Sequence, residues 1–242
     1  MERAVETIEG AVASTRRATV AEVYPRRIAL ARGRGARLVT VSAVAAFAAI
    51  FAVVRARRSA GLDLRLTLAL QRRRAPWFRR LMHAVSWPGF PPQSRLIPPT
   101  LVVGWWALGF PVEALFQALA WGASGVSFSV KQVMRRPRPD HPEVRVAIAR
   151  IGGSSFPSGH VLNYMGVYGF FAFLLSSLLR PSPAKRAILA ALLALLTLVG
   201  PSRIYLGHHW ATDVTASYLL GTSYLLGLTA LYRRVKVRLL RR

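Results

Sequence analysis

Residues 161–179 read VLNYMGVYGFFAFLLSSLL, an uncharged stretch rich in aromatic and aliphatic side chains. A helix of this length can cross the hydrocarbon core of a bilayer, because about 20 apolar residues span roughly 30 Å. Five further stretches have a similar character, and they run from Leu38 to Val54, Leu96 to Phe110, Pro111 to Val130, Ala187 to Pro201 and Val214 to Tyr232. The sequence therefore predicts an all-α protein, a polytopic bundle of six transmembrane helices.

The charge of the chain is concentrated between these stretches. Its 242 residues include 34 Lys and Arg against 9 Asp and Glu, a formal net charge of +25, although 53% of the residues are hydrophobic. A nucleic-acid-binding protein would spread such charge over exposed faces, whereas basic loops between apolar spans are typical of membrane proteins facing anionic lipids. We therefore expect a bilayer with anionic lipids as partner and no nucleic acid. The absence of cysteine excludes disulfides and thiolate catalysis.

Three regions are predicted along the chain: a basic N-terminal arm at 1–37, a transmembrane domain at 38–232 and a basic C-terminal tail at 233–242. We expect no signal peptide before the first span, since no apolar h-region precedes it, and we expect this span to direct insertion itself. Between the first two spans, Leu62 to Leu70 intersperses leucines with Asp63, Arg65 and Thr67, which predicts an amphipathic helix in the membrane interface. Asp63 and Glu113 are expected at interfaces, without a role in catalysis.

Polar residues gather at the ends of the predicted spans, where their cost near a bilayer makes them functional candidates. The first cluster is KQVMRRPRP at 131–139, the second is PSGH at 157–160, and the third contains Ser202, Arg203, His209 and Asp213. Since consecutive spans alternate in direction, the third span ends, the fourth begins and the fifth-to-sixth connection lies on one side of the membrane. The sequence therefore predicts that the three clusters meet at one end of the bundle.

The side chains of these clusters are suited to an anionic phosphoryl group. Lys131, Arg138 and Arg203 supply positive charge, and a guanidinium can bind two phosphoryl oxygens at once. Ser158 and Gly159 precede a predicted helix, whose free N–H groups and dipole favour an anion. Gly159 has no side chain to keep an oxygen from its amide. We predict that these five residues bind phosphate.

Two histidines add nucleophilic and acid–base chemistry. His209 and Asp213 are four residues apart, so on a helix they share a face, and the carboxylate could fix the imidazole tautomer. The other ring nitrogen of His209 could then attack phosphorus, while His160, from another helix, protonates the leaving oxygen. Water would hydrolyse the resulting phosphohistidine with His160 acting as base.

Each cluster alone also has a structural interpretation. Lys131 could anchor a span end by snorkelling, and Pro-Ser-Gly before a span could be a cap and turn. His209 with Asp213 could be an ordinary helix pair. Residues to which we assign no catalytic role are Arg135, Arg136, His83, His141 and His208, the last about 100° from His209 around the same predicted helix. The conjunction of the clusters, rather than any one residue, favours a phosphate-cleaving site.

The three clusters resemble the three signatures of the type 2 phosphatidic acid phosphatase superfamily, in order and in internal spacing, over residues 131–213. The resemblance implies a six-helix membrane protein that hydrolyses lipid phosphates without a metal or other cofactor. It implies His209 as nucleophile, His160 as general acid and Asp213 as the residue that orients His209. The phosphate-binding residues that it implies are Lys131, Arg138, Ser158, Gly159 and Arg203.

Few acidic residues lie near the motifs, which agrees with a reaction that needs no metal ion. Besides Asp213, only Asp140 and Glu143 lie near the motifs, which is poor provision for Mg²⁺ or Ca²⁺. The superfamily also includes soluble vanadate-dependent haloperoxidases with a similar anion pocket, and the apolar spans favour the phosphatase branch.

The substrate is less sharply defined than the reaction. Polyprenyl phosphates or diphosphates are slightly favoured, and phosphatidic acid and phosphatidylglycerol phosphate remain open. A non-enzymatic transporter or anionic-lipid-binding scaffold is the alternative function, which the uncharged cores of the spans after residue 160 disfavour. The oligomeric state is not indicated.

Counting charges does not decide the orientation, because the 34 basic residues divide evenly, 17 on each side of a six-span arrangement. The basic tails and the short loop from Arg180 to Arg186 favour the cytoplasm for the side opposite the clusters. We therefore expect a multi-pass protein of the cell membrane, with both termini cytoplasmic and the active site on the extracytoplasmic face.

Overall fold

The described part of the chain in this computed structural model, residues 26–147 and 152–240, contains helices and connecting loops but no strand. Its elements are α1 (Arg26–Arg55), α2 (Ala60–Gln71), α3 (Pro76–Ser86), a 3₁₀ turn (Trp87–Gly89), α4 (Gln93–Ala107), α5 (Pro111–Trp121), α6 (Ala123–Met134), α7 (Gly159–Leu178), α8 (Pro183–Tyr205) and α9 (Ala211–Leu240). The all-α prediction is confirmed for these residues. Most of the predicted N-terminal arm, residues 1–25, and the last two residues of the predicted tail lie outside them.

Four helices in the described residues are long and apolar enough to cross a membrane: α1 from Gly33 onward, α7, α8, and α9 as far as Leu239. They correspond to the first, fourth, fifth and sixth predicted spans. α9 continues past the predicted span, so residues 233–240 of the predicted basic tail are helical. The chain is therefore a membrane protein with at least these apolar helices available to the bilayer.

The second and third predicted spans have a different local structure. Leu96 to Phe110 corresponds to α4, which has 15 residues, and Pro111 to Val130 corresponds to α5 and α6, of 11 and 12 residues. Only Gly122 separates α5 from α6. The Tyr224 hydroxyl of α9 donates a 2.5 Å hydrogen bond to the carbonyl of Leu119 there. A side chain that inserts into the helical ladder in this way interrupts the helix.

α7 forms the centre of the bundle. Of its apolar window 67% is buried, against 11% for α1, and α7 packs against α5, α6, α8 and α9. Gly166 allows α5 to approach closely, because a Cβ at this position would lie 2.3 Å from the carbonyl oxygen of Ala120. The outer faces of α1 and α8 carry exposed apolar side chains such as Val41 and Leu193, as expected of helices surrounded by lipid.

α2, the predicted amphipathic helix, turns its polar side toward the protein. Asp63, Thr67 and Gln71, spaced four residues apart, are buried, whereas Leu62 and Leu66 are exposed. This is the reverse of a surface helix in a soluble protein, where the apolar stripe faces the core. The polar stripe therefore docks α2 on the bundle and leaves Leu62 and Leu66 on the outside.

Two acidic residues expected at interfaces are instead buried. Asp63 and Glu113 both have no exposed surface, because each carboxylate meets a cation of another segment. Asp63 pairs with Arg136, and Glu113 pairs with Lys236 at 2.7 Å. A buried carboxylate is tolerated when it is paired and hydrogen-bonded in this way.

Candidate active site

The end of α6, the start of α7 and the α8–α9 connection lie side by side at one end of the bundle. α6 ends at Met134, where Arg135 adopts a left-handed conformation with φ of 47°. The chain after α6 then runs beside residues 152–158. The Ser155 amide donates to the Arg136 carbonyl (2.8 Å), and Ser155 Oγ donates to the Pro137 carbonyl (2.9 Å). These bonds bring the first and second sequence clusters together.

The third cluster joins them through the turn between α8 and α9 and the first turns of α9. Arg138 Nη1 donates to the carbonyl of His208 at 2.8 Å. The Ser158 amide donates to Ser217 Oγ (2.7 Å), which in turn donates to the carbonyl of Asp213 (2.6 Å). All three clusters therefore form one site.

The imidazole of His209 is fixed by a backbone carbonyl. Its Nδ1 lies 2.7 Å from the carbonyl oxygen of Ser155, and its Nε2 lies 3.4 Å from Arg138 Nη1. Because a carbonyl can only accept, Nδ1 carries the proton and Nε2 has the lone pair. Burial, with the charges of Arg203 and Arg138, holds the pKa of His209 well below its ordinary value. His209 is therefore a neutral base whose Nε2 faces a cation.

Asp213 does not contact His209 in the way that an i, i+4 helix pair would. Its Oδ2 is 3.6 Å from His209 Nδ1, beyond hydrogen-bond distance, and accepts from the Trp210 amide at 2.9 Å. His209 lies two residues before α9 begins at Ala211, so the two side chains do not share a helical face. Asp213 reaches back to the start of its own helix, as acidic residues in a first turn do. It fixes the turn that carries His209, and the direct contact to the imidazole comes from Ser155.

Arg136, expected to be an anchor or a general electrostatic contact, lies at the centre of a buried ion-pair network. Its Nη2 donates to Asp63 Oδ2 (2.6 Å) and its Nη1 to Asp213 Oδ1 (2.5 Å). Asp63 also accepts from the amide of Thr212 at 2.9 Å. Arg136, Asp63 and Asp213 are called the paired cluster below. It ties α2 and α9 to the segment that follows α6.

The other three cations of the site have no acidic partner in the described part of the chain. Among the described residues, no carboxylate lies within 4.0 Å of a charged nitrogen of Lys131, Arg138 or Arg203, which are called the open cluster below. Lys131 Nζ donates to the Ser154 carbonyl at 2.7 Å. Burial and the charge of Arg138 lower the pKa of Lys131 to about 8, and burial also lowers the pKa of Arg138. Such excess positive charge away from water favours an anionic ligand.

Arg203 is held by residues from outside the three sequence clusters as well as within them. The side chain has no exposed surface. Its Nη1 donates to Ser86 Oγ at 3.0 Å, and its Nη2 lies 2.6 Å from His208 Nδ1. The guanidinium carbon lies 4.9 Å from the centre of the Phe90 ring, a cation–π distance. The end of α3 and the turn after it therefore form one wall of the site.

Ser158 and Gly159 stand at the start of α7, beside Lys131. The amide of Ser158 is used by Ser217, so it is the Ser158 hydroxyl that has no hydrogen-bond partner among the described residues. A Cβ on Gly159 would lie 3.5 Å from Ser127 Oγ and 4.0 Å from Lys131 Cε. Ser127 is buried one helical turn before Lys131, and its hydroxyl is likewise unpartnered within the described residues. Two buried hydroxyls therefore border the start of α7.

His160 packs against the turn that follows α3. Its ring meets Phe90 edge to face with centroids 4.8 Å apart, and a Cβ on Gly89 would lie 2.2 Å from its Cδ2. In the described part of the chain its buried Nε2 has no hydrogen-bond partner. Within that same part, no group of three or more His, Asp or Glu side chains is placed to hold a metal ion.

Several residues of this site were not predicted from the sequence, namely Asp63, Ser86, Phe90, Ser127, Arg136 and His208. Only one signal pointed toward any of them. The polar residues of α2 recur at every fourth position, which indicates a face that meets other polar groups. Ser86 and Phe90 lie far from the clusters in sequence, and His208 was assigned to a helix that the chain does not form. Arg136 lies within the first cluster and Ser127 one helical turn before it, but nothing in the sequence shows which polar groups they meet.

Comparison with known proteins agrees with this geometry. The sequence model of the PAP2 superfamily matches residues 112–236. Phosphatidylglycerophosphatase B of Bacillus subtilis is 31% identical over 152 residues, which cover 61% of this chain and 72% of that protein. Decaprenylphosphoryl-5-phosphoribose phosphatase of Mycolicibacterium smegmatis is 31% identical over 133 residues, which cover 54% of this chain and 62% of that protein.

The fold is also similar to a solved structure, the crystal structure of a transmembrane PAP2-type phosphatidylglycerolphosphate phosphatase from Bacillus subtilis. The two superpose with a TM-score of 0.69 and 26% sequence identity, over 81% of this chain and 96% of that chain. All three similar proteins are phosphatases, which favours an enzyme over the transporter or scaffold considered as the alternative.

Proposed function

Because the chain belongs to the PAP2 superfamily and is a membrane phosphatase, we propose that it hydrolyses a lipid phosphate through a phosphohistidine formed on His209. The setting of His209 carries this proposal. Its Nδ1–H is held by the Ser155 carbonyl, and its Nε2 lone pair lies beside Arg138. A nucleophile in a fixed tautomer, next to cations that attract the phosphoryl group, is what nucleophilic catalysis at phosphorus needs.

In the first step, His209 Nε2 attacks phosphorus opposite the leaving oxygen. A P–N bond forms, the bond from phosphorus to the lipid oxygen breaks, and protonated His160 gives its proton to that oxygen. The open cluster stabilises the negative charge on the remaining phosphoryl oxygens. The Ser155 carbonyl keeps the Nδ1 proton hydrogen-bonded while the imidazole becomes cationic.

In the second step, water attacks the phosphohistidine. The oxygen of water bonds to phosphorus, the P–N bond breaks, and neutral His160 takes the proton of the attacking water. Inorganic phosphate leaves, with His209 again neutral at Nε2 and His160 again protonated. Each histidine thereby returns to its starting form, and the scheme uses no metal ion.

Each site residue has a role in this scheme. His209 is the nucleophile and His160 the acid and base, while Asp213 positions the turn that carries His209. The phosphate-binding groups are Lys131, Arg138, Arg203, the Ser158 hydroxyl and the Gly159 amide. The unpartnered buried atoms of Ser158, His160 and Arg203 support this assignment, because a buried polar atom without a partner is costly unless a ligand satisfies it.

The proposed substrates are lipids that carry a phosphate in a polar headgroup. The two curated relatives are named for phosphatidylglycerophosphate and for a polyprenyl-linked phosphoribose, which brings a glycerolipid and a polyprenyl carrier to the same family. Turnover of the two lipid classes, compared side by side with phosphatidic acid and a polyprenyl diphosphate, assigns the substrate. A ratio of kcat/KM values above about tenfold marks the preferred class.

We propose that residues 96–110 and 111–130, which α4 and most of the α5–α6 pair provide, are the second and third of six spans. The pair runs from one end of the bundle to the other, since Glu113 at its start meets Lys236 near the end of α9, and Lys131 near its end lies in the site. α2 is proposed to lie in the interface with Leu62 and Leu66 toward lipid, consistent with their exposure.

In this arrangement the site faces outward from the cell membrane and both termini are cytoplasmic. The loop from Arg180 to Arg186 then lies on the cytoplasmic side. Single cysteines placed in this loop, in a chain that has no cysteine of its own, are expected to react with a membrane-impermeant reagent only after the cells are opened. Labelling in intact cells would show that the loop faces outward and that the proposed orientation is reversed.

The direct test of the function uses the purified protein in detergent with a short-chain phosphatidylglycerophosphate. We expect phosphate release that EDTA leaves unchanged and orthovanadate inhibits. His209→Ala is expected to lower kcat by at least about 10⁴-fold, the scale on which loss of a nucleophile acts in other hydrolases. His141→Ala, which removes an exposed histidine outside the site, serves as the control. Full activity of His209→Ala would overturn the mechanism.

A further inference from the structure

We propose that His208 is a positioning residue, which holds the Arg203 guanidinium in the orientation needed to bind the substrate phosphoryl group. The proposal rests on the proposed function, since it takes Arg203 to be a phosphate ligand. His208 immediately precedes the proposed nucleophile, and the sequence assigned it no role. In the structure it is buried beside Arg203, with their side-chain nitrogens 2.6 Å apart.

The chemistry of the contact fixes the state of the imidazole. A guanidinium can only donate hydrogen bonds, so His208 Nδ1 must accept from Arg203 Nη2 and must carry a lone pair. His208 is therefore neutral, with its proton on Nε2. At 2.6 Å, the bond is at the short end for a charged donor, the kind that is stronger than a neutral hydrogen bond.

The backbone ties the same two residues together. The His208 amide donates to the Arg203 carbonyl at 3.1 Å, and the Gly207 amide donates to the Ile204 carbonyl at 3.0 Å. With Gly207 in the left-handed region at φ of 71°, this is a Schellman motif closing α8. It places the His208 side chain beside the last turn of α8. A helix continuing through this segment would have turned His208 away from Arg203.

Three contacts together restrict the Arg203 side chain. Ser86 accepts from Nη1, His208 accepts from Nη2, and Phe90 covers the face of the guanidinium. The Nε–H has no hydrogen-bond partner among the described residues. The donors that remain can bind phosphoryl oxygens without the side chain having to reorient, which is what preorganised electrostatic stabilisation requires.

A neutral acceptor suits this purpose better than an acidic one. Arg136 is held by two carboxylates at 2.5 and 2.6 Å, and these offset its charge. An imidazole orients Arg203 through one hydrogen bond and leaves the positive charge uncompensated for the substrate. His208 also accepts from Arg138 through its carbonyl at 2.8 Å. One residue therefore contacts two of the three cations in the open cluster.

The test compares two substitutions whose amide side chains differ in length by one methylene group. His208→Asn places an amide oxygen where Nδ1 accepts, whereas His208→Gln places its oxygen one bond further away. We expect His208→Gln to lower kcat/KM, and to weaken competitive inhibition by orthovanadate, by about tenfold to a hundredfold, the range in which partners of ligand residues act. His208→Asn is expected to stay within about threefold of the wild type in both measurements. His141→Gln is the matched control.

A coupling experiment separates positioning of Arg203 from a general loss of packing. In an Arg203→Lys background, the proposed contact is already broken, so His208→Gln is expected to have little further effect, less than about threefold. Equal impairment of the Asn and Gln variants, or a full additional loss in the Arg203→Lys background, would overturn the proposal. Wild-type activity of His208→Gln beside an inactive His209→Ala would reject the role of His208 and leave the proposed function intact.

Discussion

Two groups of buried charges lie next to each other at the same end of the bundle, and they are built differently. In the paired cluster, Arg136 sits between Asp63 and Asp213. In the open cluster, Lys131, Arg138 and Arg203 have carbonyls, a hydroxyl, two imidazoles and an aromatic ring as partners in the described residues, and no carboxylate. Arg136 and Arg138, only two residues apart, belong to different groups.

The difference indicates that the paired cluster stabilises the fold, whereas the open cluster is available to bind the substrate. A buried ion pair offsets its own desolvation and fixes the segments that contribute to it, and losing one partner leaves a buried charge uncompensated. An unpaired buried cation costs stability until an anion binds beside it. We therefore expect substitutions in the open cluster to lower activity more than stability, and those in the paired cluster to do the opposite.

The largest expected effect is on activity, for Arg203→Ala in the open cluster. We expect kcat/KM to fall about 10³-fold, as when one preorganised donor to a transferring phosphoryl group is removed. The melting temperature should stay the same or rise, because one of three mutually repelling cations is gone. Phosphate release and thermal unfolding in detergent measure the two quantities, with the exposed Arg180→Ala as control. Activity within a few fold of wild type would place Arg203 outside the phosphate site.

The next largest effect is on stability, for Asp63→Asn in the paired cluster. We expect the free energy of unfolding to fall by about 3 kcal/mol, because Arg136 loses one of two buried carboxylates. The folded fraction should retain kcat/KM within about tenfold of wild type, since Asp213 and the open cluster remain. Asp140→Asn, at an exposed carboxylate, is the matched control. An unchanged melting temperature would show that the paired cluster does not hold α2 in place.

Gly89→Ala probes the turn after α3, which forms one wall of the site. A methyl group here would lie 2.2 Å from His160 Cδ2, so the imidazole must be displaced from its position. We expect kcat to fall about tenfold to a hundredfold, because a misplacement of about 1 Å in a reacting group has effects of this size. Gly104→Ala, where the added methyl group meets nothing within 4 Å beyond its sequence neighbours and the backbone of its own helix, should keep full activity. Equal kcat values for the two variants would remove His160 from the reaction.

The smallest expected effect is a pH dependence within the open cluster. Burial and Arg138 lower the pKa of Lys131 to about 8, so this ammonium is charged below that pH and neutral above it. Phosphate binding through Lys131 is therefore present at neutral pH and lost as the pH rises, and we expect kcat/KM to decline above about pH 8. In Lys131→Arg the side chain stays protonated, and the decline should move to higher pH. An unmoved alkaline limb would assign it to another group.

The sequence predicted the parts of the site that depend on short contiguous motifs. These residues lie at or close to helix ends at the same end of the bundle, which the alternation of spans was enough to indicate, and they are Lys131, Arg138, Ser158, Gly159, Arg203 and His209. His208 was misjudged for a definite reason. A helical periodicity was assumed around His209, whereas α9 begins only at Ala211, and the preceding turn directs His208 toward Arg203.

Residues that reach the site by packing could not be found in the same way. Ser86 and Phe90 lie more than 100 positions before Arg203, and nothing local to their sequence marks them as its partners. The same limit applies to the spans. Apolar composition indicated six, but it does not show where a helix begins and ends. α4 has only 15 residues and runs through Pro98 and Pro99, and the interruption at Gly122 involves a tyrosine from another helix.

We expect the open cluster to bind the phosphoryl group in the position where His209 Nε2 attacks it. Rapid mixing of the protein with a lipid labelled in the phosphate, followed by quenching in alkaline denaturant, measures the label bound to the chain. We predict transient labelling that survives alkali, is released by acid as expected of a phosphorus–nitrogen bond, and is absent from His209→Ala. Turnover by the wild-type protein with no such label, or labelling that persists in His209→Ala, would contradict the account.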